Sequence, residues 1–305
     1  MNKLVKLVSS LVPVTLKIAI RQRLTLVKYA RRVRGKGVND LPRQEFVVVS
    51  LTSYPARINA IYLTIQTLLN QTYKPDRLVL WLSIEQFPKK EQELPKKLLG
   101  LKNYGLEICW TNDLRSYKKL IPALKEFPHA IIVTADDDVF YPNFWLDKLM
   151  ESYREYPSCV NCHRGHTIKW NVYGDAIEPF SKWDYESSKK EPSFLNFATG
   201  VGGVLYPPYV LHSDVDNEAL FMKIAPTCDD HWFWAMAVLK GTKIKIVENG
   251  ISSFMGLINP KSSAEYSLCD ANKGEDFKSN DDVVFAQLCQ AYPKLLKSIT
   301  KEKDV

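Results

Sequence analysis

Three consecutive aspartates, Asp136-Asp137-Asp138, follow directly on the apolar run Ala130–Ala135. Ionised together they repel one another, so they call for a cation or a set of donors nearby. In an extended chain residues two apart share a side, which puts the Asp136 and Asp138 carboxylates together. Oxygen ligands of this kind suit Mg2+ or Mn2+, ions that also take diphosphate oxygens. A solvated acidic turn is the plain alternative, and an apolar strand running straight into the triplet argues against it. A second acidic pair, Asp229-Asp230, opens the run His231-Trp232-Phe233-Trp234. A carboxylate there could act as a general base, or simply sit where the helix macrodipole favours negative charge.

Other patterns compete for attention. Cys159, Cys162 and His163 spell C-x-x-C-H, a covalent haem-attachment pattern. No export signal accompanies it, no second Cys/His pair is well placed for zinc, and the segment reads as a buried strand. His163, Arg164 and His166 follow that strand and are candidates for a diphosphate contact or for ordinary satisfied polar side chains. Gly200, Gly202 and Gly203 allow close backbone approach to a sugar, or mark a bulge. Trp232 and Trp234 offer faces for sugar stacking, although periodicity alone favours a core role. His231 is a conceivable extra metal ligand, and Asn280-Asp281-Asp282 resembles a helix cap.

The elements that must position these groups alternate. Apolar runs predict strands at Phe46–Leu51, Leu78–Leu82, Leu106–Trp110 and Ala130–Ala135. Helical spacing appears between them, at Ile58, Ile61, Ile65, Leu68 and Leu69, after the charged stretch 89–98, and over Tyr117–Phe127 with Pro122 bending or breaking it. Continuous rather than alternating apolar strands are expected where both faces of a parallel sheet are covered. The expected class is therefore α/β, a doubly wound, mixed and mostly parallel sheet with helices on both faces. In such sheets ligands lie at the carboxyl ends of the strands, where the three aspartates stand. Beyond them the pattern predicts a helix near 143–155, a strand near 158–162, a Gly-rich strand region at 197–206, a helix near 229–240, a strand at 243–248 and a helix near 281–290.

Two chemistries use such a carboxylate motif. In haloacid-dehalogenase-type phosphatases D-x-D-x-T/V supplies an aspartate nucleophile from the first strand; here the fifth position is Phe140 and three strand–helix units precede the motif, although Asp229-Asp230 could serve as that family's distal acidic pair. The alternative fits more of the chain. Val49-Ser50-Leu51-Thr52-Ser53-Tyr54-Pro55-Ala56-Arg57, Leu69-Asn70-Gln71-Thr72-Tyr73-Lys74-Pro75 and Ala135-Asp136-Asp137-Asp138-Val139 resemble, in order and spacing, the family-2-like GT-A glycosyltransferases of bacterial surface-polysaccharide synthesis. The resemblance spans roughly residues 45–250. It implies a GT-A-like fold and transfer of a sugar from a nucleoside diphosphate sugar, a UDP-sugar by expectation, to a hydroxyl of a glycan or lipid-linked glycan; inversion is the outcome that goes with a general base, and retention would need a different arrangement. It implies that Thr52, Ser53 and Tyr54 contact the nucleoside, with Tyr54 on the base. Arg57 and Lys119 would lie near the nucleotide, Asp136 would bond the ribose, Asp138 with Asp136 would hold Mn2+ or Mg2+, and Asp137 would stand behind them. It makes Asp230 the base, with Asp229 the near alternative, and gives Gly202, Gly203, Trp232 and Trp234 to the acceptor. For Lys119 a solvated helix position is an equal alternative. A non-catalytic glycan-binding protein at a membrane surface is the reading outside enzymology.

The charge pattern adds location. The chain has 305 residues and a formal net charge of +7, yet residues 1–36 hold ten basic residues and no acidic one. The body behind them is slightly acidic, which argues against a nucleic-acid binder with basic charge throughout. Residues 14–34 read as a helix with Lys17, Arg21, Lys28, Arg31 and Arg32 on one face and Leu16, Ile20, Leu24 and Val27 beside them. Such a helix suits an anionic membrane surface, with packing on the protein or an oligomer contact as the alternative. The expected organisation is a basic extension at 1–40, a catalytic domain at 41–260 with its nucleotide half at 45–140 and acceptor half at 141–260, and a polar carboxyl-terminal segment at 261–305. The expected location is the inner face of the cytoplasmic membrane, bound peripherally.

Overall fold

Alternate residues of the first strand enter two different cores, and that division organises the molecule. The computed structural model describes residues 31–251, 259 and 280–303, together with residues 20, 23, 24, 27 and 28. Val48, Val79, Trp81 and Ile132 point into one apolar cluster, while Val47, Val49, Leu51, Leu78, Leu80 and Val133 point into another. A strand alternates its side chains between faces, so a strand apolar at every position must be covered on both.

The strands are β1 (Val47–Thr52), β2 (Arg77–Ser83), β3 (Leu106–Thr111), β4 (Ile131–Ala135), β5 (Val160–Cys162), β6 (Gly165–Thr167), β7 (Asn196–Ala198), β8 (Val204–Tyr206) and β9 (Ile244–Ile246). The helices are α1 (Ile61–Leu69), α2 (Lys96–Leu99), α3 (Ile121–Glu126), α4 (Trp145–Glu155), α5 (Glu218–Ile224), α6 (Asp229–Lys240), α7 (Asn280–Ala291) and α8 (Lys294–Thr300). Seven strands form one sheet in the order β3-β2-β1-β4-β8-β5-β9, and β6 pairs with β7 apart from it. The sheet is mostly parallel; β8 alone runs antiparallel to its neighbours β4 and β5. Helices α1, α2 and α4 supply one core and α3, α5, α6, α7 and α8 the other. This is the mixed, mostly parallel α/β architecture expected of a GT-A-like fold.

The order reverses at β1. The chain winds outward through β2 and β3, then returns to lay β4 on the opposite side of β1. Such a switch point leaves a crevice beyond the strand ends. The β1–β4 register pairs Leu51 with Ala135, so Ser53 and the aspartates leave the sheet side by side.

Pro122 occupies the first turn of α3, where its missing N–H costs nothing. The single helix expected over Tyr117–Phe127 is therefore two elements, a 3-10 turn at Arg115–Lys119 and then α3. The charged stretch near 89–98 yields a 3-10 turn at Lys90–Glu93 and the short α2. At the amino terminus residues 20, 23, 24, 27 and 28 are helical, while 31–34 are not. Arg31 and Arg32 thus stand beyond the helix expected to carry them, because Val33 turns into the core and the Arg31 carbonyl accepts from Asn70. Lys17 and Arg21 lie outside the described residues; Lys28 is exposed. No helix among the described residues is long and apolar enough to cross a membrane.

Candidate active site

The loop after β1 wraps the aspartates that end β4. Ser53 Oγ donates to Asp137 Oδ2 at 2.5 Å, and Arg57 Nη1 lies 2.7 Å from Asp137 Oδ1 and 2.9 Å from Asp138 Oδ2. Arg57 is itself held against the Tyr54 ring, 5.5 Å from its centroid. Thr52 turns the other way and donates its hydroxyl to the Trp81 carbonyl of β2 at 2.9 Å, so its side chain serves the sheet rather than a nucleoside. Asp136 N–H donates to the buried Tyr141 hydroxyl at 2.8 Å, and Asn259, fully buried, donates its N–H to the Asp138 carbonyl at 2.6 Å.

A second cation closes the cleft. Lys119 ends the 3-10 turn before α3, and its backbone carbonyl accepts from Ser50 Oγ of β1 at 2.6 Å. Its ammonium lies 2.9 Å from Asp229, 3.5 Å from Asp136 and 3.9 Å from Asp230. The side chain is buried, so the solvated-helix alternative does not hold. Burial works against its charge, but Asp229, Asp136 and Asp230 outweigh burial and keep it protonated.

Asp229 and Asp230 lie in the first turn of α6, whose cap residue is Cys228. Simple capping does not describe Asp230: its carboxylate accepts from the Gly200 N–H at 2.8 Å, across the cleft floor. Burial pushes its carboxyl up to about 7; Lys119 opposes this, and the nearby Asp229 adds to it. Asp138 is likewise raised to about 6, first by burial and then by Asp136 and Asp137, with Arg57 opposing. Burial also raises Asp137 despite Arg57 and Ser53. The cleft therefore carries more negative charge than its two cations neutralise.

Asp136 and Asp138 fit a divalent ion. Both are partly exposed, their donors are all oxygen, and the two neighbouring aspartates crowd Asp138 with like charge. Two carboxylates leave the remaining positions to water and phosphate oxygens, the arrangement Mg2+ prefers.

Gly200 brings the backbone close to both charged side chains. A Cβ there would fall 2.6 Å from Lys119 Nζ and 2.9 Å from Asp230 Oδ1. Gly200→Ala should push the two charges apart and cost about 1–3 kcal/mol in urea unfolding. An unfolding midpoint equal to wild type would show that the cleft yields.

Several expected contacts are not brought together here. Gly203, at φ +92°, and Gly202 serve α4: a Cβ on Gly203 would meet the Trp145 ring at 2.5 Å, and the Gly202 carbonyl accepts from Trp145 Nε1 at 2.6 Å. Trp232 and Trp234 are buried in the core and donate to the Val215 and Phe194 carbonyls, so neither presents a face to a sugar. Cys159 and Cys162 are buried free thiols, and His163 bonds the Trp145 carbonyl at 2.9 Å. Arg164 pairs with Glu186, and His166 accepts from the Glu186 N–H. His231 lies among Phe180, Trp183 and Phe197. Ser50 and Asn259 support the cleft through backbone contacts that no side-chain motif announces, and the close approach expected at Gly200 is to Asp230 and Lys119.

No protein-family model matches the chain, and no curated protein matches it in sequence. Among solved structures it is similar to the crystal structure of S. aureus TarS 1-349, at 15% identity and a TM-score of 0.45. The alignment covers 68% of this chain and 58% of that one, so the chain spans less than two thirds of the TarS structure's length.

Proposed function

We propose that the protein is a metal-dependent glycosyltransferase that uses a nucleoside diphosphate sugar, a UDP-sugar by preference, and an acceptor hydroxyl on a glycan or lipid-linked glycan. The observation that carries this reading is Lys119, whose ammonium lies within 4 Å of Asp136 on one wall and of Asp229 and Asp230 on the other. It unites the D-x-D motif and the acidic pair in one crevice at the switch point of the sheet. The position of the motif favours this reading over a haloacid-dehalogenase-type phosphatase, which takes its D-x-D from the first strand, whereas here the aspartates follow β4.

Asp138 and Asp136 would hold Mn2+ or Mg2+, which when bound neutralises the leaving diphosphate. Arg57 and Lys119 add fixed positive charge on the same side, where negative charge develops as the sugar leaves. Ser53 and Arg57 hold Asp137, which keeps the motif in place. Asp230, with a carboxyl near 7 and a fixed orientation from Gly200, takes the proton of the attacking hydroxyl. Direct attack by that oxygen on the anomeric carbon, with the diphosphate leaving from the opposite face, would invert the centre.

A thermal melt tests the reading. UDP with Mn2+ should raise the midpoint well beyond either alone, since binding to the folded state stabilises by mass action. No added shift, together with no hydrolysis across a panel of nucleotide sugars, would remove the proposal.

The amino-terminal segment supplies the location. Ile20, Leu24 and Val27 recur at helical spacing and are 48%, 63% and 74% exposed, within a segment rich in Lys and Arg. An apolar stripe flanked by positive charge suits an anionic lipid surface. Leu24→Glu with Val27→Glu should weaken binding to phosphatidylserine vesicles at least about tenfold; unchanged binding would exclude the docking role.

A further inference from the structure

The first turn of α6 carries a second polar group that sugar transfer does not use. Cys228, just before the helix, and His231, one turn on, meet Asp281 from the first turn of α7. Cys228 Sγ is 3.7 Å from Asp281 Oδ1, and His231 Nδ1 is 3.8 Å from the same oxygen. The donor atoms of all three lie within 4.8 Å of one another. Around a tetrahedral ion, with bonds of about 2.3 Å to sulfur and about 2.0 Å to nitrogen or oxygen, ligand atoms stand roughly 3.3–3.6 Å apart. The two contacts to Asp281 need a few tenths of an ångström of contraction, and the sulfur and the imidazole, within 4.8 Å of each other, would close by up to about 1 Å through side-chain rotation.

Two further observations point to a ligand. His231 is 2% exposed, and its Nδ1, the nitrogen that faces Asp281, stands 3.8 Å from that carboxylate, beyond hydrogen-bond length. A buried imidazole bonded this poorly is costly unless something else engages it. Asn280 Nδ2 lies 3.6 Å from Cys228 Sγ, an N–H placed to support a thiolate, as hydrogen bonds commonly do around metal-bound sulfur. The Asp281 side chain is 21% exposed, which leaves a route in and room for a fourth ligand.

We propose that Cys228, His231 and Asp281 form a zinc site, with water in the fourth position. Sulfur and imidazole select a borderline-soft ion, whereas the all-oxygen pair Asp136 and Asp138 selects Mn2+ or Mg2+. On binding, the thiol releases its proton to solvent. The zinc ties α7 to the turn that presents Asp229 and Asp230, so the carboxyl-terminal helices hold the floor of the cleft in place. It is a positioning site and makes no contact with the reacting sugar.

The test is metal analysis of the full chain. Protein equilibrated with zinc and freed of excess should retain one zinc per chain. Cobalt in its place should give tetrahedral visible bands and an intense thiolate-to-cobalt band in the near ultraviolet. Cys228→Ser should abolish the thiolate band, and His231→Gln and Asp281→Asn should each weaken zinc binding at least about tenfold. If Cys228→Ser does not fold, the wild-type cobalt spectrum and the other two variants decide. Absence of the thiolate band in wild type, or its persistence in Cys228→Ser, overturns the proposal. These readouts need no nucleotide, so failure of the transferase reading would leave the zinc result standing, and the reverse.

Discussion

Asp230→Asn should lower sugar transfer by about 10²–10⁴-fold, the usual contribution of a positioned general base, while the protein stays folded. Asparagine keeps the oxygen that accepts from Gly200 N–H and the shape of the side chain. What it loses is the ability to take a proton. In wild type, kcat/KM should rise with pH to a plateau above about 7, the value to which burial lifts the Asp230 carboxyl; in the variant this limb should vanish. Stability should move the opposite way. The ordinary value is 3.8 and the folded value about 7, so the folded state holds this proton more tightly and loses stability as pH rises between them. Asp230→Asn removes that loss, and its melting temperature should exceed wild type at pH 8 but match it at pH 4. Transfer measured by donor consumption and melts at both pH values check this. Undiminished transfer would assign the base elsewhere, with Asp229→Asn the companion variant.

Lys119→Met should destabilise the fold by about 3–5 kcal/mol, the range for removing one partner of a buried ion group. The methionine fills the channel but leaves Asp229 and its neighbours facing one another without a cation. Because Lys119 holds Asp230 down, its loss should also move the acid limb of any residual activity to higher pH. Adding Asp229→Asn should restore part of the stability, since the two groups are 2.9 Å apart and close contacts do not add. Urea unfolding of the two single variants and the double variant closes the cycle. Additive losses would mean that the contact contributes nothing beyond its parts.

The strands and the aspartate motif were legible because their signals are local. An apolar run that ends on charge announces a buried strand and its edge, and β1, β2, β3 and β4 follow those runs to within a residue or so. The helix at Asp229–Lys240 was legible to the residue. The glycines and tryptophans were not. Gly202 and Gly203 show the same composition whether they approach a sugar or a tryptophan ring, and only the position of Trp145 distinguishes them. Trp232 and Trp234 occupy a helix apolar nearly all round, and burial on that helix depends on α5, α7 and α8 packing over it. Lys119 read equally well as solvated or buried, because the three carboxylates that hold it come from segments about 17 and 110 residues away.

The amino-acid sequence by itself determined the α/β alternation, the carboxylates at the end of the fourth strand, the acidic pair opening a helix, and the division between a basic amino terminus and a slightly acidic body. Each is a property of neighbouring residues, set by strand and helix periods and by the repulsion of like charges. Only the tertiary structure decided that Lys119 bridges the two acidic groups, that Gly200 lies against the ends of Lys119 and Asp230, and that Cys228 and His231 meet Asp281 from fifty residues further on. Those facts depend on which distant segments the sheet order and the two cores bring within a few ångströms, and no local pattern encodes that distance.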